Sequence, residues 1–189
     1  IIDLCSAPGG KSFQILSKKI SLTLNDKSKF RLKNLNENLK RLNFKAKILN
    51  LDILNTNLKE KYDFIILDSP CSSIGTIRKN PEILFKSSAP DILGLIKLQK
   101  GLLNKASTFL NKKGVILYMV CSFLKEETTE QVDNFLKRNK NFTLDLCAFK
   151  NSSEYAKNFL KNKYMNTLPE KIDKFNIDGY FAACLIKNN

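Results

Sequence analysis

Two cysteines, Cys71 and Cys121, are the residues best placed for covalent chemistry, because each follows directly on an apolar run that reads as a strand. Tyr62 to Leu67 delivers Asp68-Ser69-Pro70-Cys71 into a loop, so a carboxylate and a thiol stand three residues apart at a strand's carboxyl end. Val115 to Val120 ends in the same way, in Cys121-Ser122-Phe123. An ordinary buried cysteine would sit inside a strand, whereas one past its end can meet a reactant. A thiol attacks as its thiolate, and with an ordinary pKa of about 8.5 only a few per cent is ionised at neutral pH. The chain has no histidine, so activation must come from elsewhere. Lys11 and the amides at the strand ends are the candidates.

The elements between these thiols must bring them together. A helix from about Asp91 to Leu110, closed by Asn111-Lys112-Lys113-Gly114 with a C-terminal glycine, separates the two strands. Such a helical crossover is the geometry of neighbouring parallel strands. The chain opens on a further buried-type strand, Ile1-Ile2-Asp3-Leu4, which runs into Cys5-Ser6-Ala7-Pro8-Gly9-Gly10-Lys11-Ser12 and then a helix to Lys19. A small-residue turn at a helix start brings backbone close to a polar ligand. Gly10-Lys11-Ser12 resembles the tail of a phosphate-binding P-loop, but Cys5 stands where that motif needs its first glycine. The dinucleotide fingerprint fails as well, since Gly9 and Gly10 are adjacent. The first motif of an S-adenosylmethionine-dependent methyltransferase and a plain strand-to-helix turn both remain open.

Further along, Ser21 to Asn25 reads as a strand ended by Asp26, an acid suited to both hydroxyls of a ribose or to capping the next helix. That helix, about Ser28 to Asn43, puts Leu32, Leu35, Leu39 and Leu42 on one face and basic side chains on the other. Lys45 to Leu51 is a strand ended by Asp52, which either reaches an adenine amino group or belongs to a turn. The loop after Cys71 runs on to Arg78 and Lys79, two cations that suit a phosphate. Glu126 to Lys137 is a helix, Phe142 to Phe149 a strand, and Tyr180 to Ile186 a last strand after Asp178-Gly179. Lys150 to Asn176 shows no clear period and reads as irregular, with a short helix near Tyr155 to Leu160.

At 189 residues, 43% hydrophobic and 26% charged, the chain fits one globular domain. It begins inside a core strand with no initiator methionine, so it is expected to be a fragment whose upstream domain is not present. The net charge of +14 attracts polyanions through counterion release, and nucleic acid is the favoured partner. An odd set of five scattered cysteines, with no Cys-x-x-Cys and no histidine, points to free thiols in a reducing cytosol and to no metal site. No apolar run has the length of a membrane span, and a cytoplasmic monomer is expected.

Four motifs in order, Asp3 to Ser12, Asp68 to Gly75, Met119-Val120-Cys121-Ser122 with Glu126-Glu127, and Asp178-Gly179-Tyr180-Phe181, resemble the RNA cytosine-5 methyltransferases of the bacterial Sun/Fmu type. The resemblance spans nearly the whole chain. It implies a Rossmann-like class I α/β fold, with a mostly parallel seven-stranded sheet, helices on both faces and an antiparallel last strand. It implies that Cys5, Ser6, Ala7, Pro8, Gly9, Gly10 and Lys11 wrap the methionine part of S-adenosylmethionine, that Asp26 takes the ribose, that Asp52 lies by the adenine and that Asp68 borders cofactor and target base. Cys121 would attack carbon 6 of a cytosine in RNA, most naturally ribosomal RNA, and Cys71 would help release the product, with Asp68 and Lys11 beside them. The chain departs from the family at Ser69 (usually Ala), at Ser73-Ile74 (Gly-Thr) and at Val120 (Thr), the last removing a hydroxyl next to the nucleophile. A DNA cytosine-5 methyltransferase, which would use Cys71 as nucleophile, lacks support because no Glu-Asn-Val follows. A non-catalytic RNA-binding protein of the same fold is the other alternative.

Overall fold

Continuous apolar strands covered on both faces demand helices on either side, and the computed structural model has that arrangement. It describes residues 1–85, 90–145, 148–149, 157–161, 163–172 and 174–188. Five parallel strands, β1 (Ile2–Asp3), β2 (Thr23–Asn25), β3 (Lys47–Leu49), β4 (Tyr62–Asp68) and β5 (Leu110–Val120), lie in the order β3-β2-β1-β4-β5. The last strand, β11 (Phe181–Lys187), pairs antiparallel with β5 and, through Leu185 to Lys187, with β6 (Phe142–Leu144). These are the seven expected strands in a mostly parallel sheet.

Alternation along β4 divides the core. Ile65 and Leu67 face a cluster with Leu102, Leu103, Ala106 and Phe109 of the chain around α3 (Ile92–Thr108) and Val132 and Phe135 of α4 (Thr129–Arg138). Ile66 faces the other way, onto Leu16 of α1 (Gly10–Leu16) and Leu32, Leu35 and Leu39 of α2 (Lys29–Arg41). The helix pattern read from sequence therefore fixes which helix covers which face. Among the described residues, no helix is long and apolar enough to cross a membrane.

Two expectations are corrected. Helix α3 ends at Thr108 with Phe109 as its cap, rather than at about Leu110 with a closing turn to Gly114, and Asn111 to Gly114 belong to β5. Phe109 and Leu110 are both buried, and that burial turns the chain inward five residues before the glycine. The register against β4 shifts between Tyr62 and Phe64, and the extra residues bulge out there, with Lys113 at φ 61°. The segment read as irregular also contains strands: β7 (Leu160–Lys161) and β8 (Tyr164–Asn166) extend the sheet beyond β11, and β9 (Glu170–Ile172) pairs with β10 (Phe175–Ile177) in a separate hairpin. Each has two or three residues, too few to show a period in sequence. Of the expected strand to Phe149 the structure has Phe142–Leu144, and residues 146 and 147 lie outside the described set, as do Tyr155 and Ala156 of the expected short helix.

Candidate active site

The parallel strands end on one side of the sheet, where ligands bind in open α/β folds, and a few buried polar groups tie those ends together. Asn25 donates to Leu4 O at 2.9 Å and Leu51 O at 3.2 Å, and accepts from Leu51 N at 3.0 Å, so one side chain joins the ends of β1, β2 and β3. Asp3 accepts from Ser12 Oγ at 2.5 Å and Cys5 N at 3.2 Å, fixing α1 against β1. Burial outweighs those hydrogen bonds and pushes the Asp3 pKa up to about 6. Because the folded state holds this proton more tightly than the unfolded chain, the stability it contributes is full below pH 3.8 and lost as pH rises through about 6. A shift of that size is worth about 2–3 kcal/mol. Asp3→Asn should therefore cost more stability at pH 4 than at pH 7, by roughly that amount, in urea titrations of both proteins at the two pH values.

The turn after β1 differs in its two glycines. Gly9 has φ 112°, and a Cβ there would lie 2.1 Å from the Phe13 ring, so this glycine is demanded by the helix's own packing. A Cβ on Gly10 would meet nothing within 4 Å, so Gly10 is the one that leaves open space. Asp26 is buried and accepts from Ala7 N at 3.2 Å and Ser28 N at 2.9 Å, while Arg31 pairs with it at 3.5 Å and donates to Ala7 O. The helix cap is Ser28, and Asp26 instead supports the turn.

The structure divides the expected site residues between adjoining clefts. Cys5, Asp26 and Asp52 line a cavity of about 470 Å³, with Leu51, Ile53, Leu98 and Leu102 on its apolar walls and Asn25, Lys27, Ser28 and Arg31 among its polar ones. The cavity thus sets apolar walls beside two carboxylates, Asp26 and Asp52. Asp52 also caps the turn Ile53–Asn55 and pairs with Lys27 at 2.7 Å. Burial and the surrounding carboxylates push the Cys5 thiol up to about 12, which makes it inert. Ser6 to Lys11 and Asp68 line a second cleft of about 720 Å³ with Asp178 and Tyr180. There Lys11 Nζ lies 2.6 Å from Asp68 and 5.7 Å from the centre of the Tyr180 ring. Burial opposes the charge on Lys11, but the Asp68 carboxylate outweighs it and the ammonium is held protonated.

Cys71 and Cys121 open into a third cleft, of about 870 Å³. Their sulfurs are 3.3 Å apart. Cys121 Sγ is also 3.4 Å from Ser73 Oγ. The hydrogen bond from Cys71, with further help from Ser73 and Lys11, draws the Cys121 pKa down to about 6 against burial and Asp68. The same contact pushes Cys71 far up. The pair is thus unequal, with Cys121 the thiol that ionises more readily and Cys71 the one held toward its protonated form. Sequence reasoning missed Ser73, whose hydroxyl stands in for the one absent at Val120. At φ 59° its backbone is in the left-handed region, the signal that this position suits glycine in related chains.

The Cys71 loop is held from both sides. Gly75 N donates to Cys121 O at 3.1 Å and Gly179 N to Gly75 O at 2.7 Å, leaving no room for a side chain: a Cβ on Gly75 would lie 2.0 Å from Gly179 O. Gly75→Ala should cost ~1–3 kcal/mol and slow any reaction at the thiols, measured by urea denaturation alongside the activity assay. Arg78 and Lys79, expected to suit a phosphate, are already paired with the buried Asp178 at 3.0 and 2.6 Å. They lock the loop to the turn before β11 and hold the Asp178 carboxyl below its usual range despite burial.

Fold and site together define a class I, S-adenosylmethionine-dependent methyltransferase domain, and at the level of fold alone the chain is similar to such an enzyme from Clostridium acetobutylicum (TM-score 0.55, 13% identity, covering 100% of this chain and 83% of that one). More particularly, the chain belongs to the 16S rRNA methyltransferase RsmB/F family, which matches residues 1–186. It is 34% identical over 192 residues to the ribosomal RNA small subunit methyltransferase B of Shewanella oneidensis, covering 99% of this chain and 42% of that protein. It superposes on NSun6 from Pyrococcus horikoshii, crystallised with SFG, at a TM-score of 0.81 with 29% identity, covering 100% of this chain and 47% of that one. The chain thus spans less than half the length of these relatives.

Proposed function

We propose that this domain transfers a methyl group from S-adenosylmethionine to carbon 5 of a cytosine in RNA, within the small-subunit ribosomal RNA class its family acts on, through a covalent bond from Cys121 to carbon 6. The observation that carries the reading is the thiol pair at the ends of β4 and β5, its sulfurs 3.3 Å apart, with Cys121 drawn toward the thiolate by its neighbour. The cofactor reading draws support from the adenosine-sized cavity and from SFG, an S-adenosylmethionine analogue, in the Pyrococcus relative.

Carbon 5 of cytosine is a weak nucleophile until the ring loses aromaticity. Cys121 Sγ forms a bond to carbon 6, and the pair of the C5–C6 double bond moves onto carbon 5. S-adenosylmethionine, when bound, supplies an electrophilic methyl group and leaves as S-adenosylhomocysteine. Carbon 5 then carries both methyl and proton, and release needs a base. While Cys121 is a thiolate its hydrogen bond is the largest influence keeping Cys71 protonated. Once Cys121 is a thioether that influence is gone, so Cys71 can give its proton to solvent and accept the one from carbon 5. The freed pair restores the double bond and Cys121 leaves as a thiolate.

Incubation with labelled S-adenosylmethionine and either 16S ribosomal RNA or DNA tests this. Label in RNA as 5-methylcytosine supports it. Label only in DNA, or tight RNA binding without label, would replace it with one of the two alternatives considered from sequence.

A further inference from the structure

The two thiols are neighbours in a shared cleft, so something must decide which of them keeps the proton. Glu127, in the single turn Lys125–Glu127 before α4, is fully buried. Its carboxylate accepts from Ser72 N at 2.8 Å, Ser72 Oγ at 2.6 Å and Gln99 Nε2 at 3.0 Å. Gln99 Nε2 also donates to Pro70 O at 3.0 Å, and Gln131 Nε2 donates to Gln99 Oε1 at 3.3 Å. Tyr118 of β5 donates to Glu127 O at 2.7 Å. The bonds to Ser72 and Pro70 hold the residues next to Cys71, and the bond from Tyr118 holds the strand that ends at Cys121. None of the described lysines or arginines forms an ion pair with Glu127.

A buried carboxylate without a cation is costly, and a neutral glutamine could make as many hydrogen bonds, its oxygen accepting from Ser72 N and Gln99 Nε2 and its amide donating to the Ser72 hydroxyl, which can turn around. Three donors aimed at one buried carboxylate, where a neutral amide would serve the packing as well, therefore point to an electrostatic task. We propose that Glu127 is a positioning residue that makes the two thiols unequal: it fixes the Cys71 loop against the Cys121 strand end, and its fixed negative charge on the Cys71 side keeps the pair's proton on Cys71. The proposal rests on the covalent reading above. The charged and titratable groups acting on Cys71 are Cys121 and Glu127, with the buried Tyr118 phenol close by. Those on Cys121 are Cys71, Asp68 from β4, Lys11 from α1 and Tyr180 from the turn before β11. Lys11 and Glu127 thus pull in the same sense from opposite sides.

Iodoacetamide alkylation over a pH series, read by peptide mass spectrometry, tests this in the intact chain and in Glu127→Gln. The unchanged protein should be modified at Cys121 first, and E127Q should reduce that preference for Cys121 over Cys71 by ~10-fold, the effect of a shift of about one pKa unit. In E127Q, kcat should fall while RNA affinity stays the same. A merely structural role would lower the melting temperature and leave the preference intact, and that result in a folded E127Q overturns the proposal. If E127Q does not fold, the unchanged protein decides, because modification of Cys71 first, or of both equally, also overturns it. Alkylation needs no methyl transfer. An inactive chain whose Cys121 preference E127Q erases would sink the methyltransferase reading and leave this inference standing.

Discussion

Cys121→Ala should reduce methyl transfer to ribosomal RNA by ~10⁴-fold or more, the scale of loss when a covalent nucleophile is removed, while binding of S-adenosylmethionine and RNA changes little. The chain has no histidine, and of the other described thiols Cys5 and Cys184 are both pushed up to about 12 by burial. Cys147 lies outside the described residues. Removing Cys121 also frees Cys71 from its largest upward influence, so Cys71 in this variant becomes easier to ionise. A filter-binding transfer assay, with equilibrium binding of each ligand measured separately, checks both halves of the expectation.

Cys71→Ala should give the opposite kind of defect. Attack by Cys121 survives, although its thiolate loses the hydrogen bond that lowers its pKa most, while release from carbon 5 loses its base. The methylated adduct should accumulate, visible as a protein–RNA band that persists on a denaturing gel and grows with S-adenosylmethionine. Turnover should fall by ~10²–10⁴-fold, the usual contribution of a positioned general base. If trapping follows Cys121→Ala instead, the two roles are reversed.

Much of the site was legible because strand ends are legible. Apolar runs closed by Asp26, Asp52, Asp68 and Cys121 mark where the parallel strands stop, and residues that stop together are brought together. The groups that tune the site were not, because their burial depends on tertiary contact. Glu126-Glu127 is legible as part of a motif but not as buried, yet Glu127 is driven into the core by the packing of α3 against α4 and kept there by Gln99 and Ser72. Asp3 hides inside an apolar strand, and Ser73 acts through a left-handed backbone that no local pattern announces. Arg78 and Lys79 suggested a phosphate, but sequence cannot show that their acid partner, Asp178, is folded beneath them. The short strands β7 to β10 were invisible for a related reason: their order comes from the edges they join rather than from any period of their own.

The most direct measurement uses the unchanged protein, S-adenosylmethionine and an RNA carrying 5-fluorocytosine at its methylated position, where fluorine replaces the proton that must leave carbon 5. Attack and methyl transfer can proceed but release cannot, so the adduct persists through proteolysis and its peptide can be sequenced by mass spectrometry. The linked residue should be Cys121, bonded to carbon 6 of the methylated pyrimidine. A link at Cys71, or methylated RNA with no covalent intermediate, would contradict the account.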